Sequence, residues 1–352
     1  MKLIESSVTL LKQENGLDGL NKHIEKCGRT CYKSEKNIKD GSAEKFVNAM
    51  IKSHHGAMLE HGTVYLKVPC DAKRDYKIDG YSIYSADHVI PRIGNQYSLN
   101  PYSKSVLYQD SYYITTNYRV LVENGWLEDL QYMCEPTEHH EKRYTLRFVC
   151  DRGITHELVR HRKFSFGQES TRYCNYGNKN ELTFICPSWI DYNEIINMIN
   201  VIKESSKEVQ KVFYEAMFTD TYEDNSEYSI ASANEKRCEL ILVYDMISAE
   251  KNYMYLVNHG YKPQQARAVL PTMIKSEICM TGFASDWRFF FDLRLFGKTG
   301  EPHPDMLRVA DLAKLEFQHI SNLAKKEFEK ENEWEYIMSY PSKFNEKEKD
   351  GE

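Results

Sequence analysis

Residues 143–173 read RYTLRFVCDRGITHELVRHRKFSFGQESTRY. Tyr144, Leu146 and Phe148 alternate with polar neighbours, which predicts a half-buried strand over 143–149. Asp151 then stands where it can cap a helix through ITHELVRHR. On that helix Glu157, Arg160 and His161 occupy i, i+3 and i+4 and share a face. Ser165-Phe166-Gly167 is expected to turn the chain, so that Ser170 and Arg172 fold back beside that face. Three guanidiniums and an imidazole gathered in one volume repel each other unless anions neutralise them, and phosphates suit guanidinium forks. The competing reading is a solvated surface on which these arginines pair with Asp151, Glu157 and Glu169. Phe164, Phe166 and Tyr173 interleave with the charges, which suits a partly buried site better.

Outward from this stretch, Leu17, Leu20 and Ile24 give helical spacing over 17–29, and Phe46, Ala49 and Met50 over 43–55. TVYLKV at 63–68 alternates like a strand. From about 71 to 142 the pattern changes: nine tyrosines lie between Tyr76 and Tyr118, with little sustained periodicity. This stretch reads as an insertion, partly strand, packed on the main domain, its tyrosines serving the core or a subunit contact rather than nucleic acid. Further helices are expected over 201–217, over 233–258 up to Gly260, at Pro263 through PQQARAVL to Pro271, and over about 304–330. The tail KFNEKEKDGE reads as frayed.

Composition narrows the function. The apolar share is 41% with 25 tyrosines counted in it, so polar-tipped aromatics carry much of the hydrophobic packing. No apolar run exceeds five residues, against the roughly 20 of a spanning helix, so no membrane segment is expected. The first residues, MKLIESSVTLLKQENG, interrupt their apolar run too early for a signal peptide, and a cytoplasmic location is expected. Nine cysteines without a C-x-x-C pair read as reduced thiols. A net charge of −6 gives no general attraction to nucleic acid, so any anion site must be local. No two glycines stand at i and i+2, which removes the dinucleotide fingerprint and the kinase loop, and no phosphate-loop G-x(4)-G-K-[ST] exists. His54, His55, Glu60 and His61 take neither zinc-peptidase spacing, because H-x-x-E-H would need a histidine at 57, where Ala57 stands, and H-E-x-x-H is missing; no metal is expected.

Arg160-His161-Arg162, seven residues, Ser170, then Arg172-Tyr173 resembles the signature of the flavin-dependent thymidylate synthases, the ThyX family. HGAMLEH (55–61) resembles that family's H-x-[ST]-x-x-E-H stretch, GYKPQQARAVLP (260–271) its G-x-x-x-E-x-A-R-x-x-L-P element, and WRFFFDLR (287–294), with His303, Pro304 and Arg308 after it, its F-x-x-L-R segment. The resemblance implies an α/β (α+β) fold, a mixed sheet packed with long helices, here as one catalytic domain over 1–342. The family-atypical insertion at 71–142 and a flexible tail at 343–352 complete the expected organisation.

It also implies an activity: dUMP becomes dTMP, with the carbon from methylenetetrahydrofolate and the hydride from NADPH through FAD, in a homotetramer. Carried over by position, Arg160, His161 and Arg162 would hold FAD, with Ala57 and Gln168 beside it. Glu157, Arg160, Gln168, Glu169, Ser170, Thr171, Arg172 and Arg267 would surround dUMP, and Arg294 would lie against the uracil edge. Arg294 and Ser170 carry the catalytic expectation, the serine as an orienting hydroxyl. The family's usual N-E-x-S-G-R loop is here Gly167-Gln168-Glu169-Ser170-Thr171-Arg172, so either Gln168 or Glu169 meets the ligand. Its usual polar flavin contacts fall on Phe283, Ser285 and Phe289, with Trp287 or Arg288 as substitutes. His303, between two prolines, reads as a rigid-turn residue. The alternative from another class is a non-catalytic nucleotide- or RNA-binding protein using the Arg160–Arg172 cluster.

Overall fold

The computed structural model describes residues 1–74, 77–78, 81–82, 92–179, 181–208, 210–211 and 227–318. In chain order, β1 (Lys2–Ile4) and β2 (Ser7–Leu11) lead into α1 (Gly16–Tyr32), α2 (Ser42–Lys52) and α3 (Gly56–Leu59). Strand β3 (Thr63–Pro69), the short pair β4 (Lys77–Ile78) and β5 (Tyr81–Ser82), α4 (Ile93–Leu99), the hairpin β6 (Lys104–Tyr108) and β7 (Ser111–Asn117), and α5 (Tyr118–Asn124) follow. Then come β8 (Arg143–Asp151), α6 (Arg152–Leu158), β9 (Ser165–Gln168), β10 (Thr183–Ile185), α7 (Tyr192–Glu204) and α8 (Glu227–Asn258). The last elements are α9 (Pro263–Ala266), β11 (Lys275–Phe283), α10 (Ala284–Arg294) and α11 (Pro304–Gln318).

The main sheet has the order β2-β8-β11-β9, all neighbours antiparallel, and the parallel pair β1-β10 stands apart as a two-stranded sheet. Helices pack on these sheets, giving the expected mixed α/β (α+β) chain. One face of the main sheet buries Leu146, Phe148 and Met280 against α10 and α11. Trp287 is the centre of that layer: it is 1% exposed, touches the rings of Phe148, Phe164, Phe290 and Phe317, and its indole N–H donates to the Tyr144 carbonyl at 3.1 Å. The edge strand β2 is protected because the Leu10 amide donates to the Glu316 carboxylate of α11 at 2.7 Å.

Strand β3 pairs with β7 and β7 with β6, a separate three-stranded sheet. Its core, with Leu66, Val68, Ile114 and Tyr97, is closed by Leu20 and Ile24 of α1 and Phe46 and Val47 of α2. The tyrosine-rich segment thus shares its hydrophobic layer with the opening helices. Leu17, which the periodicity placed on the buried face of α1, is instead 44% exposed.

The other face of the main sheet carries a buried polar chain. His23 Nε2 meets Thr145 Oγ1 at 2.9 Å, Thr145 Oγ1 meets Thr281 Oγ1 at 2.7 Å, and Thr281 Oγ1 meets His61 Nδ1 at 2.7 Å. The second histidine of the HGAMLEH motif is therefore a core residue, 0% exposed. Gly167 lies directly over it: a Cβ there would stand 3.0 Å from His61 Nε2 and 3.5 Å from the Cys27 carbonyl.

Three local expectations change. The helix after Asp151 ends at Leu158 rather than running through Arg162, because the amides of Arg160 and His161 bond carbonyls only three residues back and Phe164 closes the turn onto His161. Ser165–Gln168 is a strand on β11, not a turn; Ser165 and Gly167 face inward and the chain reverses earlier, at 159–164. The helix expected over 201–217 is interrupted at 205–206: Tyr192–Glu204, capped by Asp191 accepting from the Glu194 amide at 2.9 Å, ends where Ser205 takes an extended backbone (φ −73°, ψ 150°), and helical backbone resumes at 207–208 and 210–211. Residues 212–217, the part of the expected last helix beyond 318 and the expected tail at 343–352 lie outside the described residues. Gly260, with φ +89°, follows α8 and provides the expected stop.

Burial lowers His23 from the ordinary 6.5 to about 4 and His61 to about 3, so both are neutral at pH 7. In the unfolded chain each takes up a proton near pH 6.5, so the stability they contribute is present above that pH and is lost as pH falls toward 4 and 3. Urea unfolding midpoints should therefore drop progressively from pH 7 to pH 4.5, and the drop should be smaller in a His23→Gln/His61→Gln variant; a wild-type midpoint flat across that range contradicts the buried neutral pair.

Candidate functional site

Strand β11 positions the site from both of its ends. Its pairing with β9 runs from Thr281↔Ser165 to Ile278↔Gln168. The Arg160–Lys163 turn therefore sits at one end of a four-residue strand and the Glu169–Arg172 loop at the other. The guanidiniums expected to converge are separated into two groups.

At the first end, a cleft of about 300 Å³ is lined by Arg160, His161, Arg162, Phe289, Leu293 and Arg294, among others. Arg294 closes α10, and its side chain is held between two acceptors: Nε donates to His161 Nε2 at 3.0 Å and Nη1 to the Glu157 carboxylate at 3.0 Å. His161 is 7% exposed; burial first, and the neighbouring Arg294 charge second, lower it to about 4. The imidazole is thus a neutral acceptor with its proton on Nδ1, not a fourth cation in the cluster. Its ring packs edge-on against Phe290, 5.1 Å between centroids. Phe289 is 57% exposed, an aromatic face beside the cations.

At the second end, the Arg267 guanidinium donates to Thr171 Oγ1 at 3.2 Å and Arg172 Nε to Gln264 Oε1 at 3.2 Å. Arg172 also lies over the Tyr173 ring, 5.4 Å from its centroid. Ser170 is half-buried, donates its amide to the Cys31 carbonyl at 3.0 Å, and its hydroxyl accepts the Arg172 amide at 3.3 Å. Among the described residues, Arg160, Arg162, Arg172 and Arg267 make no ion pair with a carboxylate, so the solvated salt-bridge surface is not what forms.

Between the ends, the two candidates of the loop are engaged differently. Gln168 donates to Thr155 Oγ1 at 2.7 Å and Ser276 Oγ at 3.3 Å. Glu169 is 1% exposed and belongs to a buried ion cluster, accepting from Lys275 at 2.8 Å and from the Tyr176 hydroxyl at 2.9 Å, with Lys33 at 3.8 Å. Glu277 completes the cluster: burial alone would raise its carboxyl, but Lys275 and Lys33 overrule that and hold it at about 2. Lys33, Tyr176, Lys275 and Glu277 were not singled out in the sequence. Only the K-x-E alternation at 275–277 hinted at them; Lys33 lies far away in sequence and enters through its left-handed backbone (φ 49°) after α1.

Of the expected flavin positions, Phe289 lines the cleft and Phe283 and Ser285 do not. Phe283 is 8% exposed, under the Arg143 and Lys104 cations, and the Ser285 hydroxyl donates to Glu141. Trp287 is spent in the core, which removes it as a substitute. Ala57 is half-buried in α3, while His55 Nδ1 meets the Tyr32 hydroxyl at 2.7 Å. Among the described residues no group of three or more His, Cys, Asp and Glu is placed to hold a metal, and no helix is long and apolar enough to cross a membrane.

A family model described as "Thymidylate synthase complementing protein" matches residues 134–331. The chain belongs to this family. The match takes in the Arg160–Tyr173 stretch, Arg267 and Arg294, and begins after the HGAMLEH motif. Two curated relatives, the flavin-dependent thymidylate synthases of Corynebacterium efficiens and Corynebacterium glutamicum, are 32% and 31% identical over 157 residues, covering 45% of this chain and 50% of each relative. The chain thus spans about half the length of the curated relatives it matches. A solved structure described as a UMP/dUMP methylase PolB from Streptomyces cacaoi bound with 5-Br dUMP aligns over 91% of this chain and 93% of its own, at 14% identity and a TM-score of 0.37.

The Arg294–His161 contact gives a direct check on this site. In Arg294→Gln the repulsive charge is gone, so His161 should titrate above its value of about 4 while burial still keeps it below 6.5. Histidine side-chain NMR across pH 3.5 to 7 reads the shift; an unchanged titration contradicts the coupling.

Proposed function

We propose that the chain is a flavin-dependent thymidylate synthase: FAD-dependent methylation of dUMP to dTMP, with methylenetetrahydrofolate as carbon donor and NADPH as reductant. The observation that carries the reading is the set of guanidiniums without carboxylate partners flanking Arg294, the one guanidinium locked in place by Glu157 and neutral His161. Cations left unpaired beside an exposed aromatic face suit phosphate-bearing planar ligands. The first cleft fits FAD on these grounds, with Arg160, His161, Arg162 and Phe289 as its holders. Bound there, FAD supplies the hydride relay from NADPH.

The chain's own residues do the rest. Arg172, Arg267 and Thr171 bind the dUMP phosphate and sugar, and Ser170 orients the base. Arg294 stands against the uracil edge, where a fixed cation favours negative charge growing on the ring as C5 becomes nucleophilic. A preorganised donor of this kind lowers the barrier by roughly 3 kcal/mol. Because Nε and Nη1 are already committed, the fork cannot swing away, and Nη2 is left for the ligand. Glu169 acts through Lys33 and Lys275, pinning the loop that carries Ser170 and Arg172. The reading includes a single catalytic domain over 1–342, a homotetramer and a cytoplasmic location.

The protein should purify yellow, with flavin absorbance near ~450 nm, and oxidise NADPH when dUMP is added. A colourless protein that cannot be loaded with FAD contradicts the reading. Arg294→Ala should lower turnover by about a hundredfold or more while FAD is retained. Arg172→Ala should raise the dUMP requirement about tenfold or more at nearly unchanged FAD content; an unchanged dUMP dependence moves the phosphate site elsewhere.

A further inference from the structure

A second cleft, of about 410 Å³, opens where the inserted sheet meets the main sheet. None of the residues assigned above to FAD or dUMP lines it. Its surface is mostly apolar, with Leu10 and Tyr144 from the main sheet, Tyr65 from β3 and Met133 from the inserted segment. Gln13, Asn15, His23 and Thr63 add neutral polar groups, and a volume of this size with a mainly apolar surface and few charges is what small-molecule sites have.

Of its two charged residues, Lys12 and Arg143, the more buried is Arg143, the first residue of β8. Its guanidinium reaches only neutral acceptors: Nη1 donates to the Glu60 carbonyl at 3.1 Å and contacts Thr63 Oγ1 at 3.4 Å, and Nη2 contacts Ser165 Oγ at 3.4 Å. Two of these three are at the long limit for a hydrogen bond. The Nε atom is buried without a partner, and among the described residues no carboxylate lies within ion-pair distance of this guanidinium. Burial lowers Arg143 to about 10, so it is still charged at pH 7. The Phe283 ring lies 5.5 Å from this cation and the Glu60 and Asp286 charges act on it from beyond ion-pair distance, so a directly bonded anion is the partner it lacks among the described residues.

Two further features have the same sign. The start of α1, Asn15 and Gly16, lines the cleft; the cap residue Asn15 makes no side-chain cap hydrogen bond, which leaves first-turn amides facing outward with the positive end of a 17-residue helix. Lys12, exposed, stands at the rim. His23, on the same wall, is neutral and tied to Thr145, so it neither repels nor competes for an anion.

We propose that this cleft binds a small monoanionic carboxylate with an apolar body, its carboxylate on Arg143 and the α1 N-terminus and its body between the two sheets. A single planar guanidinium in an apolar cleft matches a carboxylate rather than a phosphate dianion, which would need more cations. Because one wall comes from the inserted segment and the other from β2 and β8, the ligand ties the two sheets together.

The test uses the full chain and octanoate as the probe, with 1-octanol as its neutral counterpart, by isothermal titration calorimetry. Octanoate should bind at least about tenfold more tightly than octanol. Arg143→Met, which keeps the side-chain volume, should weaken octanoate about tenfold or more and leave octanol within about threefold, whereas Arg143→Lys should keep part of the preference. Met133→Trp fills the cleft without touching the cation and should weaken both; it decides the matter if Arg143→Met does not fold. Octanoate binding no better than octanol, or undiminished in folded Arg143→Met or in Met133→Trp, overturns the proposal.

Discussion

Nine consecutive residue pairs join Arg143–Asp151 to Lys275–Phe283 in antiparallel register, and nearly everything that matters in this molecule hangs from the ends of those two strands. Where β8 ends, Asp151 caps α6 through the Ile154 amide at 2.9 Å and so delivers Glu157 and the Arg160–Arg162 turn. Where β11 ends, Phe283 opens α10 and delivers Arg294 to the same place. Where β11 begins, Lys275 and Glu277 fix Glu169 and through it the loop of Ser170 and Arg172. A slip of one residue in this pairing would turn Thr145 and Thr281 away from each other and exchange the core face for the polar one.

The electrostatics follow one rule. His23, His61 and His161 are kept neutral by burial, and Arg160, Arg162, Arg172 and Arg267 have no carboxylate partner among the described residues. His161 accepts from Arg294, and His23 and His61 terminate a hydroxyl chain. The carboxylates near the site are assigned to particular cations: Glu157 to Arg294, Glu169 and Glu277 to Lys33 and Lys275. Arg160, Arg162, Arg172 and Arg267 are exposed, and among the described residues no carboxylate neutralises them, an arrangement suited to anions.

Much of this was legible in the residues. The alternation of Tyr144, Leu146 and Phe148 and the cap at Asp151 read directly, because both are local. The R-H-R and Ser170 spacing pointed to the family that the match over 134–331 shows. What could not be read was the path between the motifs. Ser165-Phe166-Gly167 has turn chemistry, but β11 supplied strand partners at Thr281, Met280 and Cys279, far along the chain, and Gly167 allowed a close approach over His61. Local propensity lost to a tertiary pairing there. The charge of His161 was misjudged for a similar reason: its neutrality depends on Phe290 and Arg294, both distant in sequence. Glu169 reads as a ligand contact in the loop pattern, and only the arrival of Lys33 and Lys275 turns it inward.

The account rests on outward-facing guanidiniums that lack carboxylate partners being there for phosphate. Calorimetric titration of the FAD-loaded protein with dUMP and, separately, with deoxyuridine measures this most directly. The account predicts that dUMP binds at least about a hundredfold more tightly and that this advantage shrinks as salt is raised. Equal affinity for the two, or an advantage for dUMP that survives Arg172→Ala and Arg267→Ala together, would contradict it.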